Sequence, residues 1–202
     1  MTTITDIGFD IETLGVKPGC VVLSVAAIAF DRNENPSMEN LYSNALTFST
    51  TFSMTRQLAL DLTADKGTLE FYFKSEGQLS QIATSGACIE SIHTSLGRFN
   101  DFIIGMKKQG LGNDVCLWAN SPNFDVDIIR VLYEKTELEF PVPFYKWMDV
   151  RTIRDSYEFL YGRDAIPKAD KTKKHDPLYD CIYQTHLVQS FFNAVKHESV
   201  KP

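Results

Sequence analysis

The sequence has few of the features that mark secreted, zinc-binding or membrane proteins. It contains only four cysteines in 202 residues, and no two of them have the spacing of a zinc site or a redox centre. It also lacks a signal peptide, an apolar run long enough to span a bilayer, internal repeats and low-complexity tracts. We therefore expect a cytoplasmic protein with reduced thiols and no membrane partner.

A surplus of basic residues is missing as well. The sequence has 20 lysines and arginines against 26 aspartates and glutamates, for a formal net charge of −6. This balance excludes a polycation that coats nucleic acid, although bound cations can offset carboxylates where a phosphate docks. Hydrophobic residues make up 44% of the chain and supply a substantial core. We predict one domain over residues 1–202.

The order of the apolar patterns predicts an α/β fold. Strands are predicted for the N-terminal run TDIGFDIET and for residues 21–30, 42–53, 115–119 and 147–150. Helices are predicted for residues 65–83, 90–107, 124–134, 151–161 and 177–195, with Gly110 and Gly112 ending the second of them. We expect one mixed central sheet, an antiparallel meander first and then parallel strands, flanked by helices.

The first strand carries two acids at a spacing of two. Gly8, Asp10 and Glu12 share one parity, so both carboxylates point to the same face of the strand. Burying two like charges side by side is costly unless a cation lies between them. The pattern therefore favours a divalent metal site. The alternative is that both acids end the strand and point into water.

A further acid, Asp125, follows the fourth predicted strand where a helix begins. Ligands in sheets of this kind gather at the carboxyl ends of strands. The alternative is an acid that complements the dipole of its helix, with Asp127 as a solvated companion.

The last predicted helix begins beside a histidine. Asp176 is a good N-cap and Pro177 suits the first helical position, which places His175 just before the helix and Asp180 one turn inside it. Asp180 can then point back toward His175. The alternative is a helix-favouring aspartate beside a surface histidine.

These features occur together in the order that a two-metal phosphodiesterase needs. Such a mechanism uses three or four carboxylates around two cations roughly 4 Å apart. A neutral histidine near the attacking water can accept its proton, because its ordinary pKa is close to neutrality.

The segments FDIET, NFD and HDPLYD resemble the three acid motifs of the DEDDh, or DnaQ-like, 3′–5′ exonucleases on the ribonuclease H-like fold. The likeness extends from about residue 5 to residue 193. Within it, TLEFYFKSEG, LGRFNDFI and WMDVRTI resemble phage-encoded exonucleases and ribonuclease T-like exoribonucleases. The resemblance implies an enzyme that shortens single-stranded DNA or RNA from the 3′ end and releases nucleoside 5′-monophosphates. It also implies a bacterial or phage-infected cytoplasm and a homodimer.

The resemblance assigns roles to individual residues. Two Mg²⁺ or Mn²⁺ ions would be held by Asp10, Glu12 and Asp180 directly and by Asp125 directly or through water, with His175 as the general base. The 3′-terminal nucleotide would contact Thr13 and Leu14, and Asn123 would offer an amide near the site. Candidate stacking surfaces for bases are Phe71, Tyr72, Phe124 and Trp147; the alternative is that most of these rings fill the core.

Basic residues precede the histidine. Four lysines stand in this segment: Lys168, Lys171, Lys173 and Lys174. They would form a cationic lid over the substrate, or, alternatively, they belong to a solvated loop. Arg151 and Arg154 would assist them or form surface ion pairs.

Two other functions stay open at this point, an inactive nucleic-acid-binding or interaction module on the same fold and a phosphoesterase for small molecules.

Overall fold

A five-stranded mixed sheet organises the chain. The computed structural model describes residues 4–35, 37–44, 46–74, 78–109 and 115–199. Within them the strands are β1 (Asp6–Thr13), β2 (Val22–Phe30), β3 (Leu46–Thr51), β4 (Cys116–Ala119) and β5 (Trp147–Asp149). They lie in the order β3-β2-β1-β4-β5. The first three pair antiparallel and β1, β4 and β5 pair parallel, which confirms the predicted mixed sheet.

Helices cover both faces of this sheet. The described helices are α1 (Met38–Asn44), α2 (Met54–Leu58), α3 (Lys66–Lys74), α4 (Leu79–Ala87), α5 (Ile92–Gln109), α6 (Pro122–Thr136), α7 (Val150–Tyr161) and α8 (Pro177–Ser199). Helix α8 packs on β1, β2 and α7, and helices α5 and α6 pack against each other and the sheet. None of the helices in the described ranges is long and apolar enough to cross a membrane.

The two parities of β1 face different helices. Phe9 contacts Phe99 of α5, with ring centroids 6.1 Å apart. Gly8 faces α8, where an added Cβ would lie 2.8 Å from Oγ1 of Thr185. A glycine at this position therefore lets α8 approach the sheet closely. Since Asp10 and Glu12 share the parity of Gly8, their side chains lie on the α8 side.

Two predicted elements differ from the structure, and one helix, α2, was not predicted. The predicted strand 42–53 begins as α1, and β3 starts only at Leu46; β3 is an edge strand with mostly exposed side chains, so its alternation is weak. The predicted helix 65–83 corresponds to α3 and α4, with Gln78 in a turn before α4. The short helix α2 has five residues, too few to show a helical period. Gly110 and Gly112, predicted to end α5, lie outside the described residues.

Candidate active site

Four carboxylates meet at one end of the sheet. Asp10 and Glu12 come from β1, while Asp125 and Asp180 lie in the first turns of α6 and α8. Together with His175 they line a cleft of about 1140 Å³. The parallel pairing of β1 with β4 explains this meeting, because α6 starts just beyond the carboxyl end of β4, beside β1.

The cluster is tightest around the start of α8. One ligand atom from each of Glu12, His175 and Asp180 lies within 4.8 Å of the others. The backbone N–H of His175 donates to Oδ2 of Asp180 at 2.8 Å. Helix α8 itself starts as predicted, since the carboxylate of Asp176 caps the N–H of Tyr179 at 3.0 Å.

Glu12 and Asp125 are buried, Asp10 and Asp180 are half-buried, and the carboxylates repel one another. Burial raises the pKa of Asp10 well above its ordinary value, and repulsion from Asp125, Glu12 and Asp180 raises it further. Burial likewise raises the pKa of Glu12 to about 8 and the pKa of Asp125 to about 7. The pKa of Asp180 is also raised, again mainly by burial. Keeping these acids ionised in the folded protein therefore costs free energy, and a bound cation would offset that cost.

A fifth acid on the same face of β1 shows the contrast. Asp6 is fully buried, but Arg32 forms an ion pair with it and Nε1 of Trp118 donates to it at 2.6 Å. No lysine or arginine in the described part of the chain forms an ion pair with any of the four clustered carboxylates. Their oxygens are hard ligands of the kind that Mg²⁺ and Mn²⁺ prefer. The residues present thus fit a divalent metal centre.

Two neutral side chains orient the carboxylates. Nε2 of Gln184 donates to Oδ1 of Asp10 at 2.8 Å, and the hydroxyl of Tyr72 donates to Oε2 of Glu12 at 3.0 Å. Burial raises the pKa of Tyr72, which keeps its hydroxyl a donor. Gln184 was not predicted from the sequence, although it lies four residues after Asp180, a spacing that puts both on one face of α8.

His175 sits at the rim of the cluster. Its ring packs edge-on against Phe71, with centroids 5.0 Å apart. Burial lowers the pKa of His175, the charge of Lys174 lowers it further, and Asp180 opposes the shift. The imidazole is therefore neutral near pH 7 and able to accept a proton.

The residues predicted to contact substrate have different surroundings. Thr13, Phe71 and Phe124 line the cleft. Tyr72 lines it too, but the residue is only 2% exposed, so its hydroxyl bond to Glu12 is its main contact with the site. Leu14 is 1% exposed and belongs to the core, because its backbone continues the pairing toward β2.

Two further predicted contacts lie away from the cleft. Asn123 is exposed on α6 and points elsewhere, and Asn120 lines the cleft instead. Trp147 borders a separate cavity, where Arg130 lies over its ring at 5.6 Å. Its indole N–H donates to the carbonyl of Val142 at 3.0 Å. Neither residue lines the cleft that holds the acid cluster.

The wall of the cleft formed by α7 and the loop before α8 carries more basic than acidic side chains, since only Asp164 and Asp170 oppose its lysines and arginines among the described lining residues. We call this surface the basic wall; it comprises Arg151, Arg154, Arg163, Lys168, Lys171 and Lys174. These six are drawn from the 20 lysines and arginines of an acidic chain, so positive charge is concentrated here. Lys173 is not part of the wall, since its ammonium lies over the rings of Tyr42 and Tyr179.

A comparison with protein families identifies the family of the chain. The family model of the Rv2179c-like 3′–5′ exoribonuclease domain matches residues 5–192. No curated protein matches the chain in sequence.

Solved nuclease structures share the fold. Cell-death related nuclease 4 (CRN-4) superposes with a TM-score of 0.63 at 16% identity, covering 96% of this chain and 65% of that one. The nuclease domain of 3′hExo, a DEDDh family member bound to rAMP, gives 0.57 at 11%, covering 96% and 95%. Pop2p of S. pombe, with Mg²⁺ and Mn²⁺ bound, gives 0.50 at 16%, covering 96% and 83%. The chain thus spans slightly less than two thirds of CRN-4, and its fold is ribonuclease H-like.

Proposed function

The chain belongs to the Rv2179c-like 3′–5′ exoribonuclease domain family and carries a 3′–5′ exonuclease domain of the DEDDh type, and we propose that it removes nucleoside 5′-monophosphates one by one from the 3′ end of single-stranded RNA. Single-stranded DNA is the second substrate that the cleft can admit. One observation carries the proposal: four buried or half-buried carboxylates, none of them in an ion pair with a lysine or arginine of the described residues, meet beside a neutral histidine in an open cleft.

The acids hold the metal in this proposal. Asp10, Glu12, Asp125 and Asp180 would hold two Mg²⁺ or Mn²⁺ ions, which would lower the pKa of a bound water and stabilise charge on the departing 3′-oxygen. Gln184 and Tyr72 fix the orientation of Asp10 and Glu12 through their hydrogen bonds. Each of these donors occupies one carboxylate oxygen and leaves the other for a cation.

His175 acts as the general base in this proposal. Its pKa is lowered by burial, so the imidazole is uncharged when the attacking water approaches. The Phe71 ring restricts the imidazole on one side, and the His175 backbone is bound to Asp180 on the other. The base and one metal ligand are thus fixed relative to each other, as proton transfer in the transition state requires.

In this proposal the substrate strand lies along the cleft, with its phosphates against the basic side chains. We place the 3′-terminal nucleotide beside Thr13, Phe71 and Phe124, near the acids, and the preceding phosphates along the basic wall. Base stacking on an aromatic ring contributes about 1–3 kcal/mol per base and tolerates any sequence. Phosphate contacts add affinity without sequence preference. A substrate with an unpaired 3′ end fits both features.

A cleavage assay tests the proposal directly. Single-stranded RNA and DNA carrying a 5′ label are incubated with Mg²⁺, with Mn²⁺ and with EDTA. We expect a ladder of labelled products that shorten one nucleotide at a time, with metal only. Binding without shortening would instead identify an inactive module. Turnover of small phosphodiesters with inertness toward both polymers would identify a small-molecule hydrolase.

The basic wall gives a separate prediction. Removing one cationic side chain that binds a phosphate of a single strand lowers the slope of log affinity against log salt by about 0.7. Arg154→Ala combined with Lys168→Ala should therefore reduce the slope by about 1.4 and weaken binding of a single-stranded oligonucleotide at low salt. The dissociation constant is measured by fluorescence anisotropy at several salt concentrations, in an Asp10→Asn background that leaves the strand intact.

A matched charge change serves as the control. Lys135→Ala combined with Lys196→Ala removes the same two charges from the last turns of α6 and α8, outside the cleft. Its salt slope should equal that of the parent. If both double variants changed the slope equally, total charge rather than the wall would govern binding.

A further inference from the structure

The backbone of His175 is in a strained conformation that two hydrogen bonds hold. Its φ is 68°, in the left-handed region, which is unfavourable for a residue with a Cβ. The N–H of His175 donates to Oδ2 of Asp180 at 2.8 Å, and its carbonyl accepts from Nε2 of Gln81 at 2.6 Å. Such a conformation persists only where the surroundings determine it, and Gln81 supplies one of these two hydrogen bonds.

The amide of Gln81 has only one workable orientation. Its nitrogen faces two acceptors, the His175 carbonyl and Oε1 of Gln78 at 2.9 Å. Turning the amide over would place oxygen against oxygen at both contacts. In the orientation present, Oε1 of Gln81 is buried, and no residue in the described ranges hydrogen-bonds to it. The chain thus leaves one acceptor unsatisfied while both N–H donors are used.

The helix that carries Gln81 is anchored to the sheet side of the molecule. Ser85, one turn further along α4, is fully buried and donates to the carbonyl of Phe52 at 2.6 Å. Helix α4 also packs on α2 and β2. Gln81 therefore reaches the His175 loop from a fixed platform, and the loop is braced from outside its own segment.

From this geometry we propose that Gln81 is a positioning residue, which bonds the His175 carbonyl and so keeps the imidazole in place to accept the proton of the attacking water. The inference rests on the proposed role of His175 as general base. Gln81 does not line the cleft, and its hydrogen bonds in the described structure join it to His175 and Gln78 rather than to any of the four acids. Its effect on the rate must therefore pass through His175.

Two substitutions remove the bond in different ways. Gln81→Ala deletes the amide, whereas Gln81→Glu keeps the shape but presents a carboxylate that cannot donate to a carbonyl. Thr84→Ala is the control, because Thr84 is exposed on the same helix and its hydroxyl bonds the Ser80 carbonyl at 2.8 Å, within α4 itself. Thermal unfolding in EDTA shows whether each variant is folded.

Hydrogen exchange of the His175 amide provides a readout that needs neither metal nor activity. The amide is protected by its bond to Asp180 and exchanges when the loop opens. Losing one hydrogen bond that closes the loop should raise its exchange rate about 5- to 10-fold in both Gln81 variants, by NMR on the metal-free protein. Thr84→Ala should leave the rate unchanged. Unchanged exchange in both Gln81 variants would overturn the proposal.

Kinetics in two backgrounds decide whether the effect passes through the base. In the otherwise native enzyme, each Gln81 variant should lower kcat about 5- to 20-fold with KM changed less than about twofold. In a His175→Ala background the same substitutions should change nothing further, because the group they position is gone. Equal losses in both backgrounds, or no loss in either, would overturn the proposal.

Failure of the underlying function gives a different result. If the native protein shortened neither RNA nor DNA, the exonuclease proposal itself would fail, whatever the exchange data showed. If the native protein were active and His175→Ala retained full activity, the positioning role would be overturned together with the base. The experiments therefore distinguish failure of the exonuclease proposal from failure of the positioning role of Gln81.

Discussion

Asp10→Asn is expected to lower turnover by more than about 10³-fold, beyond the loss of a single transition-state hydrogen bond. Asp10 is central in the cluster, since electrostatic repulsion from Asp125, Glu12 and Asp180 raises the pKa of its carboxylate. The amide keeps the size of the side chain and can still contact Gln184. It loses the negative charge that a divalent cation requires of its ligands. The expected result is thus a folded, inactive protein.

The same substitution should stabilise the metal-free fold. An acid whose pKa is raised on folding favours the folded state below its unfolded pKa, and that contribution is lost as pH rises through the folded value. For Glu12 and Asp125 the folded values of the pKa are about 8 and about 7. In EDTA the native chain should therefore lose stability between about pH 5 and pH 8. Asp10→Asn removes one charge from this repulsion and should flatten the decline.

Thermal unfolding in EDTA across this pH range measures the effect. At pH 8 we expect the melting temperature of Asp10→Asn to exceed the native value by about 3–8 °C, as a gain of one to two kcal/mol gives for a chain of this size. Asp127→Asn is the control, because it removes the same charge two residues after Asp125 but outside the cleft. A less stable Asp10→Asn protein, or an active one, would contradict the metal-centre assignment.

Local rules suggested each member of the acid cluster, and their joint occurrence with the family resemblance joined them into one predicted site. The parity of β1 put Asp10 and Glu12 on one face, and the cap at Asp176 fixed where α8 begins and hence where Asp180 points. The parallel pairing of β1 and β4 then brought Asp125 to the same edge. The first two steps used spacing along one element, which is the information a single sequence carries, whereas the third depends on how two strands pair.

The residues around the cluster depend on tertiary packing and were harder to predict. Tyr72 was expected beneath a base, yet its ring is buried and its hydroxyl bonds Glu12, because α3 turns that face toward β1. Leu14 follows the strand acids closely but points into the core. Gln81 reaches His175 across 94 positions in sequence. No periodic pattern in the sequence predicts contacts between residues so far apart along the chain.

His175→Ala is expected to lower kcat by roughly 10²–10⁴-fold, the usual contribution of a general base. The imidazole is neutral, is packed against Phe71 and lies beside Asp180, where an attacking water would meet it. The four carboxylates stay in place when the imidazole is removed. Metal binding should therefore survive, and Mg²⁺ should still raise the melting temperature of the variant.

The retained response to metal separates two roles for this histidine. One ring nitrogen of His175 lies within 4.8 Å of ligand oxygens from Glu12 and Asp180, so the geometry alone also suits a metal ligand. If His175 is a metal ligand, its removal should abolish the Mg²⁺-induced rise in melting temperature. If His175 is only the base, its removal should lower kcat and leave that rise unchanged. His93→Ala, an exposed histidine on α5, should change neither. Because Mg²⁺ prefers oxygen to imidazole nitrogen, we expect His175→Ala to lose the rate and keep the metal binding. Full activity in that variant would refute the base, and loss of the metal response would make His175 a ligand instead.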